Sequence, residues 1–153
     1  MTLNESESIF PAFLEIPVVR QSVMKRMVLI IDDSLTDIEL TTIALEATGR
    51  EISVLFATDG GSALAMLRNG YGLPALILLD LKMPGMGGIE VLREIRADHC
   101  LRDIPVVVVT SSSLESDRTE AIAAGTSDYL QKPLSLDQFS KKLESILHRW
   151  LPI

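Results

Sequence analysis

The stretch MVLIIDDS, residues 27–34, decides how this chain is read. Five apolar residues run straight into two adjacent carboxylates. A run of this length and composition suits a strand covered on both faces. Charged residues rarely sit at the end of such a strand unless they are paired or do chemistry. The same arrangement recurs along the chain. Ala75–Leu79 ends in Asp80, Ile104–Val109 ends in Thr110, and Ser127–Gln131 ends in Lys132-Pro133. Placed side by side in a parallel sheet, these strand ends would bring the carboxylates, the hydroxyl and the ammonium to one small site.

Helical patterns separate the strands. Ser34 to Thr48 carries Ile38, Leu40, Ile43, Ala44 and Ala47 at helical spacing, with Gly49 as a stop. Ile52–Ala57 is a further strand, and Asp59 caps a helix running through Leu67 to Asn69-Gly70. Met83-Pro84-Gly85 is a turn. Gly88–Asp98 places Ile89, Val91, Leu92 and Ile95 on one helical face. Leu114–Ala124 is a helix ended by Gly125, and Leu136–Trp150 turns Phe139, Leu143, Ile146, Leu147 and Trp150 toward the core. Five strands alternating with five helices predict a doubly wound α/β domain around a parallel sheet. Ligands of such sheets bind beyond the carboxyl ends of the strands.

The domain is expected over residues 27–150. Residues 1–26 are expected to be a partly disordered N-terminal extension, broken by Pro11 and Pro17, with Phe10, Phe13, Leu14 and Ile16 able to pack on the domain or on a partner. Residues 151–153 form a short tail. Net charge −7 across 153 residues argues against binding nucleic acid directly, which needs a basic face. The single cysteine, Cys100, rules out an intrachain disulfide and favours a reducing compartment. No apolar run reaches the roughly 18–20 residues that span a bilayer. The polar, acidic start is unlike a secretory signal. A cytoplasmic protein without membrane insertion is expected.

Three carboxylates gathered at Asp32, Asp33 and Asp80 would repel one another and raise each other's pKa values. A divalent cation relieves that repulsion, and an all-oxygen site with few protein ligands suits Mg²⁺. An aspartate beside such a cation can act as a nucleophile toward phosphorus. Phosphoryl transfer asks the protein mainly for positioning and charge neutralisation, which Lys132 and Thr110 are placed to supply.

Four segments carry a family resemblance: VLIIDDS (28–34), LILLDLKMPGMGG (76–88), IPVVVVTS (104–111) and AGTSDYLQKPL (124–134). From Met27 to about Trp150 the chain resembles the receiver domains of two-component response regulators, the CheY-like family. The resemblance implies a flavodoxin-like sheet of order 2-1-3-4-5. It makes Asp80 the phosphoacceptor, Asp33 a direct Mg²⁺ ligand, Asp32 a ligand through water, and the Lys82 main-chain carbonyl a further ligand. Lys132 would pair with the phosphoryl group, Thr110 would turn its hydroxyl onto it, and Tyr129 would be the aromatic switch. It also implies a cis Lys132–Pro133 bond. Gly87 stands where the family often has an acid or amide, and Ser111-Ser112 follow Thr110; neither removes a catalytic group.

Taken singly, several of these residues have plainer roles. Asp32, Asp33 or Ser34 could cap the following helix. Thr110 could simply end a strand, Lys132 could be a solvated charge, and Tyr129 could be rim or core. The Lys82 side chain reads as a solvated lysine, and His99 and His148 as exposed helix residues. Together, the coincidence of strand-end positions favours function. The expected activity is a non-enzymatic switch that takes its phosphoryl group from a sensor histidine kinase or a histidine phosphotransfer protein. Only three residues follow Trp150, so output is expected through a downstream protein target, a homodimer or onward transfer. Arg149-Trp150-Leu151 resembles the ending of some stand-alone receivers that serve photoreceptor kinases. Two rivals stand beside this reading. One is a partner-binding module that is never phosphorylated. The other is an aspartyl-phosphate phosphatase of the haloacid-dehalogenase type, which expects a second acid two residues after the first; here that position is Ser34.

Overall fold

The structure, a computed structural model, describes residues 26–70, 72–132 and 135–153. The expected packing of Phe10, Phe13, Leu14 and Ile16, and the isomer of the Lys132–Pro133 bond, lie outside the described residues. In chain order the elements are β1 (Arg26–Ile31), α1 (Leu35–Glu46), β2 (Ile52–Ala57), α2 (Gly60–Arg68), β3 (Leu76–Leu79), α3 (Gly88–Ala97), β4 (Val106–Thr110), α4 (Glu115–Ala124), β5 (Asp128–Gln131) and α5 (Leu136–Trp150). All five strands are parallel, in the order β2-β1-β3-β4-β5.

Side-chain alternation along the strands sorts the core into layers. Val28 and Ile30 of β1, with Val107 and Val109 of β4, pack with α1 and α5 around Leu45, Leu143 and Leu147. Leu29 and Ile31, with Ile77 and Leu79 of β3, pack with α2 and α3 around Leu64, Leu92 and Ile95. Leu81, Val108 and Ala121 make a smaller cluster, against which Ile89 and Tyr129 rest. Every residue of β3 and β4 is buried, which accounts for their unbroken apolar runs.

The helix ends follow local chemistry. Ser34, Asp59 and Ser135 each accept an N–H from three residues on. Gly125 closes α4 at φ 101°, a left-handed turn that glycine adopts without strain. Helix α1 departs from expectation. Its inner face is Ile38, Thr41, Ala44 and Leu45, while Leu40 and Ile43 are exposed. At about 100° per residue, positions 40 and 43 fall roughly opposite Ile38, whereas 41 and 45 fall beside it.

The end of the sheet away from the strand carboxyl ends is held by arginines. Arg96 donates to the carbonyls of Gly125, Arg102 and Ile104 and to the Ser127 hydroxyl. Arg50 Nε and Arg26 Nη2 both donate to the carbonyl of Leu151, at 3.1 and 3.4 Å. Leu151 itself is buried, so the core continues one residue past α5. Cys100 is exposed in the connection from α3 to β4.

Candidate functional site: an acidic pocket at the strand ends

Strand order reverses between β1 and β3, and a crevice opens beyond their carboxyl ends. Ile31 pairs with Leu79, so Asp32 and Asp80 leave the sheet side by side. The Asp80 N–H donates to the Ile31 carbonyl at 2.9 Å, and the Asp32 N–H to the Ala57 carbonyl at 3.1 Å. Thr110 ends β4 next door, and its carbonyl accepts the Lys132 N–H at 2.7 Å. Parallel register alone therefore gathers the strand-end residues.

Asp32 and Asp80 are buried and Asp33 is exposed, and each of the three has a carboxylate oxygen within 4.8 Å of the other two. Asp32 Oδ1 accepts the Ser34 N–H, which leaves the cap of α1 to the Ser34 side chain. Asp80 Oδ1 is buried with no hydrogen-bond partner among the described residues. Burial pushes the Asp80 pKa up to about 6; the Lys132 ammonium pulls it down, Asp32 adds to the rise, and the N–H groups of Lys82 and Leu81 lower it again. An orphaned buried oxygen inside a ring of carboxylates fits a divalent cation and a charged ligand.

Lys132 does not sit on Asp80. Its Nζ bonds Asp37 Oδ2 at 2.8 Å and Asp32 Oδ2 at 2.9 Å, while Asp80 Oδ2 stands 3.9 Å away. Burial pulls the Lys132 pKa down, but the bonds to Asp37 and Asp32 outweigh it and the net shift is upward. Asp37 carries no functional signal in the sequence, where an acid in the first turn of a helix reads as support for the helix dipole.

The loop after β4 is also tied down. Thr110 is fully buried and its Oγ1 accepts the Ser112 N–H at 3.2 Å. The Ser112 hydroxyl bonds Asp117, which also holds Lys82 Nζ at 3.1 Å. So Lys82, although largely exposed, is ion-paired rather than simply solvated. Tyr129 is half-buried; its hydroxyl has no partner among the described residues, and the Arg118 guanidinium lies 5.2 Å from its ring centre. Burial and the nearby Asp117 push its pKa up. His99 and His148 are exposed, His99 in the turn after α3 and not in a helix, His148 in the last turn of α5.

The back of Asp80 is set by Gly88. A Cβ there would stand 2.2 Å from the Asp80 carbonyl oxygen and 2.7 Å from Leu81 Cα. Only glycine lets the first turn of α3 press against the main chain that carries Asp80. The Gly88 N–H donates to the Leu81 carbonyl at 3.0 Å.

A five-stranded flavodoxin-like sheet with this acidic crevice defines a class of signalling domain, and comparison with known proteins identifies it. The model of the response regulator receiver domain matches residues 28–144, so the chain belongs to that family. It is 36% identical over 129 residues to the probable methanogenesis regulatory protein FilR2 of Methanothrix harundinacea, covering 82% of this chain and 83% of that one. Other curated relatives are longer, and the chain spans 24% of the length of some. Among solved structures, the phosphorylated cyanobacterial phytochrome response regulator RcpA is 33% identical with a TM-score of 0.78, over 83% of this chain and 94% of that one. The Mn²⁺-bound form of response regulator Rcp1 is 33% identical with a TM-score of 0.76, over 82% and 94%. Among the described residues, no helix is long and apolar enough to cross a membrane.

Proposed function

We propose that this chain is a phosphorylation switch in which Asp80 accepts a phosphoryl group from a sensor histidine kinase or a histidine phosphotransfer protein. The observation that carries the reading is Asp80 itself: buried, with an unpartnered Oδ1, beside two further carboxylates. That RcpA is phosphorylated and Rcp1 binds Mn²⁺ supports it by similarity.

Mg²⁺ is the cation proposed for the pocket, where it would neutralise carboxylate and phosphoryl charge. Asp33 and Asp80 are its proposed direct ligands, with the Lys82 carbonyl, and Asp32 acts through water. An Asp80 oxygen attacks phosphorus, the phosphorus–nitrogen bond of the donor imidazole breaks, and that nitrogen leaves with the bond's electron pair and takes up a proton from water. Lys132 neutralises the phosphoryl oxygens on one side. Thr110 turns its hydroxyl toward them and gives up the Ser112 N–H. Tyr129, whose hydroxyl has no partner to lose, follows into the space next to Leu81 and Val108. This is a two-state element biased by local charge. Its readout surface, built from α4, β5 and α5, would meet a downstream protein target or a second copy in a homodimer. The proposed setting is cytoplasmic, without direct nucleic-acid contact.

The test is intact mass after incubation with acetyl phosphate, with and without Mg²⁺. One phosphoryl gain is expected in wild type, dependent on Mg²⁺ and absent in Asp80→Asn. An Asp80→Asn protein that gains the group as readily as wild type would sink the assignment. Failure of wild type to gain it, even from a histidine kinase, would favour a binding module instead.

A further inference from the structure

Lys132 is the cation of this pocket, yet its nearest partner lies outside the metal-binding trio. Asp37 holds Nζ at 2.8 Å, from the first turn of α1. An acid three residues after a capping serine ordinarily reaches back to the cap's own N–H. Here that N–H is already taken by Asp32 Oδ1, at 2.9 Å. The Asp37 carboxylate is thereby released from its usual local partner and turned toward Lys132.

The two acids that hold Lys132 differ in their other commitments. Asp32 belongs to the cluster suited to a cation, and Asp37 does not. A cation that draws on Asp32 leaves Asp37 as the carboxylate dedicated to Lys132. Nζ stands 3.9 Å from Asp80 Oδ2, beyond hydrogen-bond reach. A phosphoryl group on Asp80 adds about −1.5 to −2 charges and three strong acceptors on that side. From these positions we propose that Asp37 is a positioning residue of the site: it holds Lys132 on the α1 side in the resting state and competes for it with the phosphoryl group on Asp80. The inference rests on the phosphoacceptor reading of Asp80 and adds a resting-state brake to it.

The pair is not sealed. Asp37 is 38% exposed against 17% for Lys132, and a cavity of about 140 Å³ opens beside them, lined also by Thr41 and Phe139. Solvent screening therefore keeps the effect moderate, on the order of fivefold in affinity rather than several hundredfold.

The probe is beryllofluoride, formed from beryllium chloride and sodium fluoride and titrated calorimetrically into the full chain with Mg²⁺. Asp37→Asn is expected to bind it about fivefold tighter than wild type. Glu39→Gln removes the same charge from an exposed position on α1 and is expected to stay within about twofold of wild type. In a Lys132→Met background, Asp37→Asn is expected to add nothing, because a purely structural or long-range charge effect would survive there. Where Lys132→Met binds too weakly to measure, the ratio between Asp37→Asn and Glu39→Gln decides. An Asp37→Asn affinity equal to wild type or to Glu39→Gln, or a gain that persists without Lys132, overturns the proposal. A wild type that binds no beryllofluoride, like Asp80→Asn, would instead defeat the phosphoacceptor reading beneath it.

Discussion

Arg96 and Asp80 are charged groups drawn into the two opposite ends of the same sheet, and they are treated differently. Arg96 spends four donors on three carbonyls and a hydroxyl, tying the turn after α4 to the connection that leads into β4. Asp80 is buried with one oxygen unpartnered and its pKa raised to about 6. A charged group whose hydrogen bonds are largely made holds a fold together. One left incomplete costs stability and waits for a ligand. The contrast separates structure from function more sharply than residue type does.

The comparison is most easily broken at Arg96. Arg96→Ala should cost about 3 kcal/mol or more in urea unfolding, because four acceptors lose a shared donor. The phosphoryl gain on Asp80 should remain Mg²⁺-dependent wherever the variant is folded. A loss under about 1 kcal/mol would deny Arg96 its structural part.

Asp80→Asn should move the other way. A carboxyl whose folded pKa lies above its unfolded value contributes stability at low pH and loses it as pH rises through the folded value. From 3.8 to about 6 is some two pKa units, so the ionised form destabilises the fold by about 2–3 kcal/mol at pH 7.5. In metal-free buffer the asparagine variant should therefore unfold later than wild type at pH 7.5, and the gain should fade toward pH 4. A variant less stable than wild type at pH 7.5 would mean that the ionised acid is already well satisfied.

The smallest effect sharpens the boundary between the two kinds of residue at the site end itself. Ser34 caps α1 beside the pocket, and Ser34→Ala should cost about 1 kcal/mol by thermal unfolding, as elsewhere. A gain on removing this cap would show that frustration at this end is general and not confined to Asp80.

Much of the fold and of the pocket is legible in the order of the amino acids. The apolar runs of β3 and β4 announce strands buried on both faces, and the acids at the ends of β1 and β3 announce the pocket, because parallel register carries sequence position directly into space. Where one run of residues serves two masters, legibility fails. Leu40 and Ile43 look like core in a helix that is apolar on both sides, yet Thr41 and Leu45 are the buried ones. Asp37 and Asp117 each sit in the first turn of a helix, where acids are common for dipole reasons. Only the fold shows that one reaches Lys132 and the other Ser112 and Lys82. Leu151 reads as tail because its helix has ended, but two arginines draw its carbonyl in and the core buries its side chain.

The exposed thiol of Cys100 lies on the α3–β4 connection, at the end of the sheet remote from the carboxylates. It is the chain's sole cysteine, so a maleimide dye would attach at one defined place and leave the pocket untouched. The same thiol can join two molecules by air oxidation, and such a covalent pair would imitate a homodimer in light scattering. Measurements of self-association therefore belong in reductant or on Cys100→Ser, so that any doubling of mass reports a non-covalent contact and not the flask.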